Sequence, residues 1–278
     1  MGRSSHITFH TIKANIIDYL QQNDINVDVY AYNIIVDNAL VDGKKIDNTT
    51  WKELLPFNEI EEELQSYVDI KIKTHLQDVK KCQIWKDRTY DKQHITNAIR
   101  QMYSECMCGK YIETKAKQYD VVIICGPDYY LPFEINISHI HNCMKDENVI
   151  YFSRNNNCHG FTNGFYISTP KNITKILKRY DELPYILPVD KDYEYILKII
   201  VEKYKIKASF TDMLFFKIRS NHHVYWPGSA QLRKQNLEFC NHMEICIDVY
   251  NKLTNNQYNK IKNMFSPLIK LSSKFISC

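Results

Sequence analysis

An apolar run that ends in a turn and a carboxylate carries the clearest chemistry in this sequence. Tyr119-Asp120-Val121-Val122-Ile123-Ile124-Cys125 is closed by Gly126-Pro127, and Asp128-Tyr129-Tyr130-Leu131 follows. A continuous apolar run bounded by charge and turn residues reads as a strand buried on both faces. A carboxylate just past the carboxyl end of such a strand can hold a hard divalent cation, which takes oxygen ligands and bridges to phosphates. Gly-Pro-Asp is also ordinary turn chemistry, so the pattern alone leaves both roles open.

Other reactive side chains are less organised. His139-Ile140-His141 and His222-His223 offer imidazoles, as common in solvated or core positions as in metal sites. Cys106-Met107-Cys108 lacks the second pair that a structural zinc site needs, and reads as buried thiols at a helix end. Nine cysteines, an odd number and scattered, fit free thiols in a reducing compartment better than a disulfide framework. Tyr129-Tyr130 and Trp226-Pro227-Gly228 present rings that could stack on a sugar, although such aromatics commonly pack in cores and turns. The one carboxylate at a strand edge argues against a nuclease, which would want several there.

Composition narrows the classes further. Lys+Arg exceed Asp+Glu by 36 to 32, too small an excess to imply nucleic acid. A hydrophobic content of 44% suits a packed core rather than a disordered chain. No apolar run reaches the ~20 residues of a membrane span, and Met1-Gly2-Arg3-Ser4-Ser5-His6 lacks the apolar region of a secretory signal. The expectation is a soluble, cytoplasmic protein, with Lys260, Lys262, Lys270 and Lys274 allowing at most a peripheral membrane contact.

These residues need elements to place them. Apolar spacing predicts a helix over 8–22, with Ile12, Ile16, Ile17 and Leu20 on one face. Strands are expected over 27–35, 67–72, 119–125, 148–153 and 164–168, and a late strand region over 210–219. A short helix is expected over 57–65. A helix over 92–108 carries the stripe Ile95, Ala98, Ile99, Met102, Tyr103 and Cys106, with Asp91 as its cap. Further helices begin near Pro170 and run over 192–204, the second capped by Asp192, and the chain from about Gln231 reads as helical. Alternating strands and helices predict an α/β fold, a mostly parallel sheet with helices on both sides. In such sheets ligands bind beyond the carboxyl ends of the strands, which points to the segment after Cys125.

With these residues in view, the chain resembles the GT-A-type glycosyltransferases of chloroviruses and other giant DNA viruses. The run from Tyr119 to Leu131 is similar to that family's acidic strand motif, a variant of Asp-x-Asp. Gly2-Arg3-Ser4 resembles its nucleotide loop, and Val27-Asp28-Val29-Tyr30-Ala31-Tyr32 its second strand. Gln93 to Cys106, with Arg100-Gln101-Met102-Tyr103-Ser104, resembles the helix before the acidic strand. His159-Gly160-Phe161-Thr162-Asn163-Gly164 resembles the acceptor motif, and Asp192-Tyr193-Glu194 a later helix start. The family's first strand precedes its Gly-Arg loop, so its counterpart would fall ahead of Gly2.

The resemblance implies a GT-A-like, Rossmann-like domain over 1–230, with a nucleotide-sugar half over about 1–135 and an acceptor half over about 136–230. A helical extension over 231–278 would pack on it. It implies transfer of a sugar from a UDP- or GDP-sugar, with UDP-xylose one candidate, to an oligosaccharide or glycoprotein acceptor of viral type. Asp128 would hold Mn2+ or Mg2+ and contact the donor. Gly2, Arg3, Lys13, Arg100, Gln101 and Ser104 would line the donor site, and His159, Gly160 and Asn163 the acceptor site. Asp190 and Glu194, with Asp181 and Glu182 nearby in sequence, are the acids available as a catalytic base. Gly126 stands where the family has Arg, and Asn163 where it has an acid. The first, with the single acid of the strand motif, weakens tight metal dependence; the single acid at Asp128 and Asn163 in place of an acid favour the alternative, a degenerate and non-catalytic binding module of the same fold.

Overall fold

The computed structural model describes residues 9, 11–35, 39–41, 44–46, 71–76, 92–126, 129–131, 133–153, 160–186, 193–211, 213, 215–218 and 224–225. The chain divides into two compact units, Met1–Phe215 and Phe216–Cys278. The helix expected over 57–65, the caps Asp91 and Asp192, the pair His222-His223, the Trp226-Pro227-Gly228 turn and the helical extension from 231 lie outside the described residues.

The first unit opens with α1, a π-helical segment Lys13–Asp18 continued by Tyr19–Gln21. It buries Ile16, Ile17 and Leu20, the apolar face that the spacing predicts. Strand β1 (Tyr30–Ile35) pairs in parallel with β4 (Lys71–Leu76), from Tyr30 against Lys71 to Ile35 against Leu76. Between them, β2 (Ala39–Val41) and β3 (Lys44–Ile46) form an antiparallel hairpin. The expected strand over 27–35 therefore begins at Tyr30, and that over 67–72 is described from Lys71 onward.

Helix α2 spans Lys92–Lys115 and continues past the expected end at residue 108. Its interior contains Gly109, where an added Cβ would lie 2.8 Å from the Leu177 Cβ. The glycine costs helix propensity but lets α2 approach the next helix closely. Cys106 and Cys108 thus lie within the helix rather than at its end.

The short strand β6 (Tyr129–Tyr130) lies outside the four-stranded sheet that follows, which is built from β5 (Val122–Cys125), β7 (Val149–Ser153), β8 (Phe165–Ser168) and β9 (Lys207–Thr211). The order is β5-β8-β7-β9. The pairs β5–β8 and β8–β7 are antiparallel, and β7–β9 is parallel. Three of the four strands therefore run the same way, with β8 reversed between them. The sheet is mixed rather than mostly parallel in its pairings, which corrects the expectation from the alternating pattern. The late strand region is also divided, into β9 and a separate strand from Phe216.

Burial explains the arrangement. Phe165, Tyr166, Ile167 and Ser168 of β8 are all fully buried, whereas β5 is half-buried along its length. The apolar run over 119–125 predicts the central strand, yet β8 holds the middle of this sheet. Alternation along the strands sends side chains into two cores. Phe165 and Ile167, with Val121, Ile123 and Cys125, join Ile16 and Leu20 of α1 and Ile140 and Cys143 of α3 (Ile137–Lys145). Tyr166, with Val122 and Ile124, joins Ile173, Ile176 and Leu177 of α4 (Pro170–Leu177) and Leu197, Ile200 and Val201 of α6 (Tyr193–Lys203). Helices cover both faces of the sheet, as expected for an α/β fold. Each buried side chain of this size contributes roughly 1.5–3 kcal/mol.

Between α4 and α6, the short helix α5 (Arg179–Glu182) carries a fully buried guanidinium. Arg179 donates to the carboxylate of Glu105 on α2, and to the Ile176 carbonyl at 3.1 Å. In the second unit, β10 (Phe216–Ile218) pairs antiparallel with β11 (Val224–Tyr225). No helix among the described residues is long and apolar enough to cross a membrane.

Candidate functional site

Strand direction fixes where a site can form. Because β5, β7 and β9 run the same way, Cys125, Ser153 and Thr211 all end at one edge of the sheet, and β8 starts there at Phe165. That is the carboxyl edge, where open α/β sheets place their ligands.

The loops at this edge are tied together by the main chain. The Gly126 N–H donates to the Gly164 carbonyl at 3.1 Å, which joins the end of β5 to the segment before β8. The Tyr129 N–H donates back to the Gly126 carbonyl at 3.2 Å. The Thr162 hydroxyl, buried, accepts from the Gly164 N–H at 3.3 Å. The Phe161 N–H reaches the Glu194 carbonyl at 3.1 Å, so the first turn of α6 is held against the same loop. Gly160 explains how the two come so close: a Cβ there would lie 1.9 Å from that carbonyl oxygen.

Aromatic rings and hydroxyls form the floor. Tyr129 stacks on Phe215 with centroids 4.4 Å apart, and both rings are buried. They lie against two glycines: a Cβ on Gly126 would be 2.5 Å from the Tyr129 ring, and one on Gly164 would be 2.5 Å from Phe215. Ser153 donates to the Met213 carbonyl at 2.7 Å, and Thr211 accepts from the Met213 N–H at 3.1 Å. Both hydroxyls are fully buried and satisfied, which avoids the cost of an unpaired polar group.

Helix α1 borders the same region. Thr11 accepts from the Leu131 N–H at 2.9 Å, and Asn15 donates to the Leu131 carbonyl at 2.6 Å. The Asn15 carbonyl accepts from Ile135 at 2.9 Å. The chain just after Tyr130 is therefore fastened to the helix that carries Lys13. The Lys13 ammonium itself forms an ion pair with Asp18 at 2.9 Å.

The expected site residues fall into three groups. Gly160 meets Glu194 at the sheet edge, and Asn163 precedes Gly164, whose carbonyl accepts from Gly126. Gln101 and Ser104 lie on α2, where Gln101 donates to Glu105 at 2.9 Å beside the Arg179 pair, and Arg100 lies on the same helix. Gly2, Arg3, Asp128, His159 and Asp190 lie outside the described residues. Asp128 is placed by sequence between Gly126 and Tyr129, two residues that the edge holds firmly.

Two of the other acids have structural partners. Asp181 pairs with Lys110 at 3.2 Å. Glu182 accepts from Lys203 at 2.5 Å and from Tyr204 at 2.7 Å. These hydrogen bonds hold the Glu182 carboxyl below its ordinary value, against a smaller opposing effect of burial. His139 lies on α3 and stacks on Tyr151 with centroids 4.3 Å apart. Tyr129 is a core ring rather than an open sugar platform.

Burial sets the character of the thiols. It pushes Cys106 up to about 11, helped by the charge of Asp181, and Cys108 up to about 12, helped by Glu105. Cys143 is raised to about 12 by burial and by Asp146. None of these three is a thiolate near neutral pH, so none is set up as a nucleophile. Among the described residues no group of three or more His, Cys, Asp or Glu is arranged to hold a metal ion, and Asp128 is not one of those residues.

Sequence reasoning missed the Arg179–Glu105 pair and the Tyr129–Phe215 ring stack. The first had a local signal: Glu105 and Arg179 each lie three residues after a buried apolar residue, Met102 and Ile176, on an inward stripe. The second joins residues 86 positions apart and had none.

Comparison with protein-family models and with curated proteins gives no match for the chain.

Proposed function

We propose that the protein is a glycosyltransferase that moves a sugar from a nucleoside-diphosphate sugar to a glycan hydroxyl. One observation carries this reading. Gly126, the Gly160–Gly164 loop and Glu194 come from three separate motifs of the resemblance, and they meet through two main-chain hydrogen bonds at the carboxyl edge of the sheet. Donor, acceptor and base elements must converge in this way for a two-substrate transfer.

In the proposed reaction Asp128, three residues after β5 in the sequence, contacts the donor. The diphosphate leaves with the electron pair of the bond to the anomeric carbon, so its developing charge needs stabilisation. Arg3 supplies a cationic group, and Lys13 supplies a second only by leaving its ion pair with Asp18. A divalent cation, Mn2+ or Mg2+, held at Asp128 would add Lewis-acid stabilisation of the same charge. In an inverting course Glu194, or Asp190 just before it, takes the proton of the acceptor hydroxyl as its oxygen bonds to the anomeric carbon. Asp181 and Glu182 are less suited, because each is already held in an ion pair.

A non-catalytic binding module is the second reading, favoured by the single acid of the strand motif, Asp128, and by Asn163 in place of the family's acid. Turnover separates the two. The parent chain, incubated with UDP- and GDP-sugars, Mn2+ and a glycan acceptor, is expected to release nucleoside diphosphate. Asp128→Ala and Glu194→Gln are expected to lower that rate at least about 100-fold with folding intact. Nucleotide binding with no turnover by the parent chain would favour the module.

A further inference from the structure

We infer that Phe210 and Phe161 form an aromatic platform for a sugar ring of the acceptor, at the exposed end of a row of side chains that crosses the sheet. That the sugar is an acceptor rests on the transferase reading; that the two rings hold a sugar does not.

The row follows from strand register. Ile124 of β5 pairs with Tyr166 of β8, Tyr166 with Phe152 of β7, and Phe152 with Phe210 of β9. Residues paired in this way share a face of the sheet, here the face covered by α4 and α6. Each lies one residue in from the carboxyl edge. Tyr166 and Phe152 are fully buried, whereas Phe210 is 41% exposed.

Phe161 ties the exposed end of this row to the candidate site. Its ring stacks on Phe152, 5° from parallel with centroids 4.6 Å apart, and meets the Phe210 ring at 6.2 Å and 51°. Its N–H is the one that donates to the Glu194 carbonyl. The two rings therefore lie beside the first turn of α6, which carries the proposed base.

Phenylalanine is an unusual choice there. Edge strands are ordinarily blunted by charged or polar side chains. Lys207 and Ser209 of β9, the last strand of this sheet, follow that rule, and Phe210 does not. Among the described residues the exposed large apolar side chains are Met144, Tyr185 and Phe210, and of these Phe210 alone belongs to a strand. One exposed ring beside a half-buried one is too small for a stable protein interface, which buries about 1,200 Å² or more. It matches the C–H face of a single sugar ring, whose hydroxyls then need polar groups at the rim. Glu194, joined to Phe161 by the hydrogen bond, and Asn163, two residues along the same loop, are both partly exposed.

The test uses the full chain with methyl β-D-xylopyranoside, methyl β-D-glucopyranoside and methyl α-D-mannopyranoside as probes. Because Phe210 is exposed, Phe210→Ala leaves the core packed. Saturation-transfer NMR is expected to reach the ring protons of at least one glycoside, to persist in Phe210→Tyr, which keeps a ring, and to fall about fivefold or more in Phe210→Ala. With that glycoside as acceptor, its KM is expected to rise about tenfold in Phe210→Ala while UDP affinity holds. No saturation of any probe, or equal saturation by the parent chain and Phe210→Ala, would overturn the platform. A dimer of the parent chain that Phe210→Ala dissolves would give the ring to a second copy and overturn it as well. Turnover with an acceptor KM unmoved in Phe210→Ala would overturn the acceptor role. Saturation without turnover by the parent chain would defeat the transferase reading and leave the sugar platform standing.

Discussion

At Gly160 the fold admits no side chain. The clash is with a backbone carbonyl, which cannot swing aside as a flexible side chain would. Gly160→Ala is therefore expected to cost about 3 kcal/mol, at the upper end of overpacking effects, measured by urea unfolding. Because the displaced carbonyl belongs to Glu194, activity should fall further than stability alone explains. Glu182 offers a second test at this scale. Its carboxyl is held below the ordinary value near 4.5 by hydrogen bonds from Lys203 and Tyr204. A depressed carboxyl pKa contributes stability that is present above the unfolded value and is lost as pH falls through the folded one. The urea midpoint should therefore drop on acidification below about pH 4.5, and Glu182→Gln should reduce that drop while lowering the midpoint at pH 7. An unchanged acid profile in the variant would remove Glu182 from the account.

Among the elements, the Arg179–Glu105 pair binds α5 to α2. A fully buried guanidinium left without its carboxylate is costly, so Glu105→Leu should destabilise by about 3–5 kcal/mol. Replacing both partners, as Glu105→Leu with Arg179→Met, should be milder than the single change, because no buried charge remains. Thermal unfolding of the two variants checks the order. Much of this level was legible in the sequence. Strands expected over 148–153 and 164–168 are found as Val149–Ser153 and Phe165–Ser168, since a short apolar run between polar turns has few alternatives. The helix that starts at Pro170 and the buried stripe of α6 follow from the same local contrast. The extent of α2 was not legible, because the reason for Gly109 lies in another helix. Strand order was not legible either. The run over 119–125 shows that its residues are apolar, but β8 takes the middle through pairing with two strands distant in sequence. For the candidate site, the motifs at Gly126, Gly160 and Glu194 could be read separately, while the hydrogen bonds that join them could not.

For the molecule as a whole, strand direction decides where a site can form. Reversing β8 between β5 and β7 leaves three strands pointing to one edge, with helices covering both faces. That edge gathers the turn before Tyr129, the Gly160–Gly164 loop and the start of α6, and its floor is closed by stacked rings and satisfied hydroxyls. The central claim is that this edge binds a nucleoside diphosphate beside Asp128. Calorimetric titration of UDP and of GDP into the full chain, with and without Mn2+, tests it most directly. One nucleotide is expected to bind with a dissociation constant on the order of micromolar, about −8 kcal/mol, to bind more tightly with the cation, and to lose that gain in Asp128→Ala. Absence of binding by either nucleotide, with or without Mn2+, would contradict it.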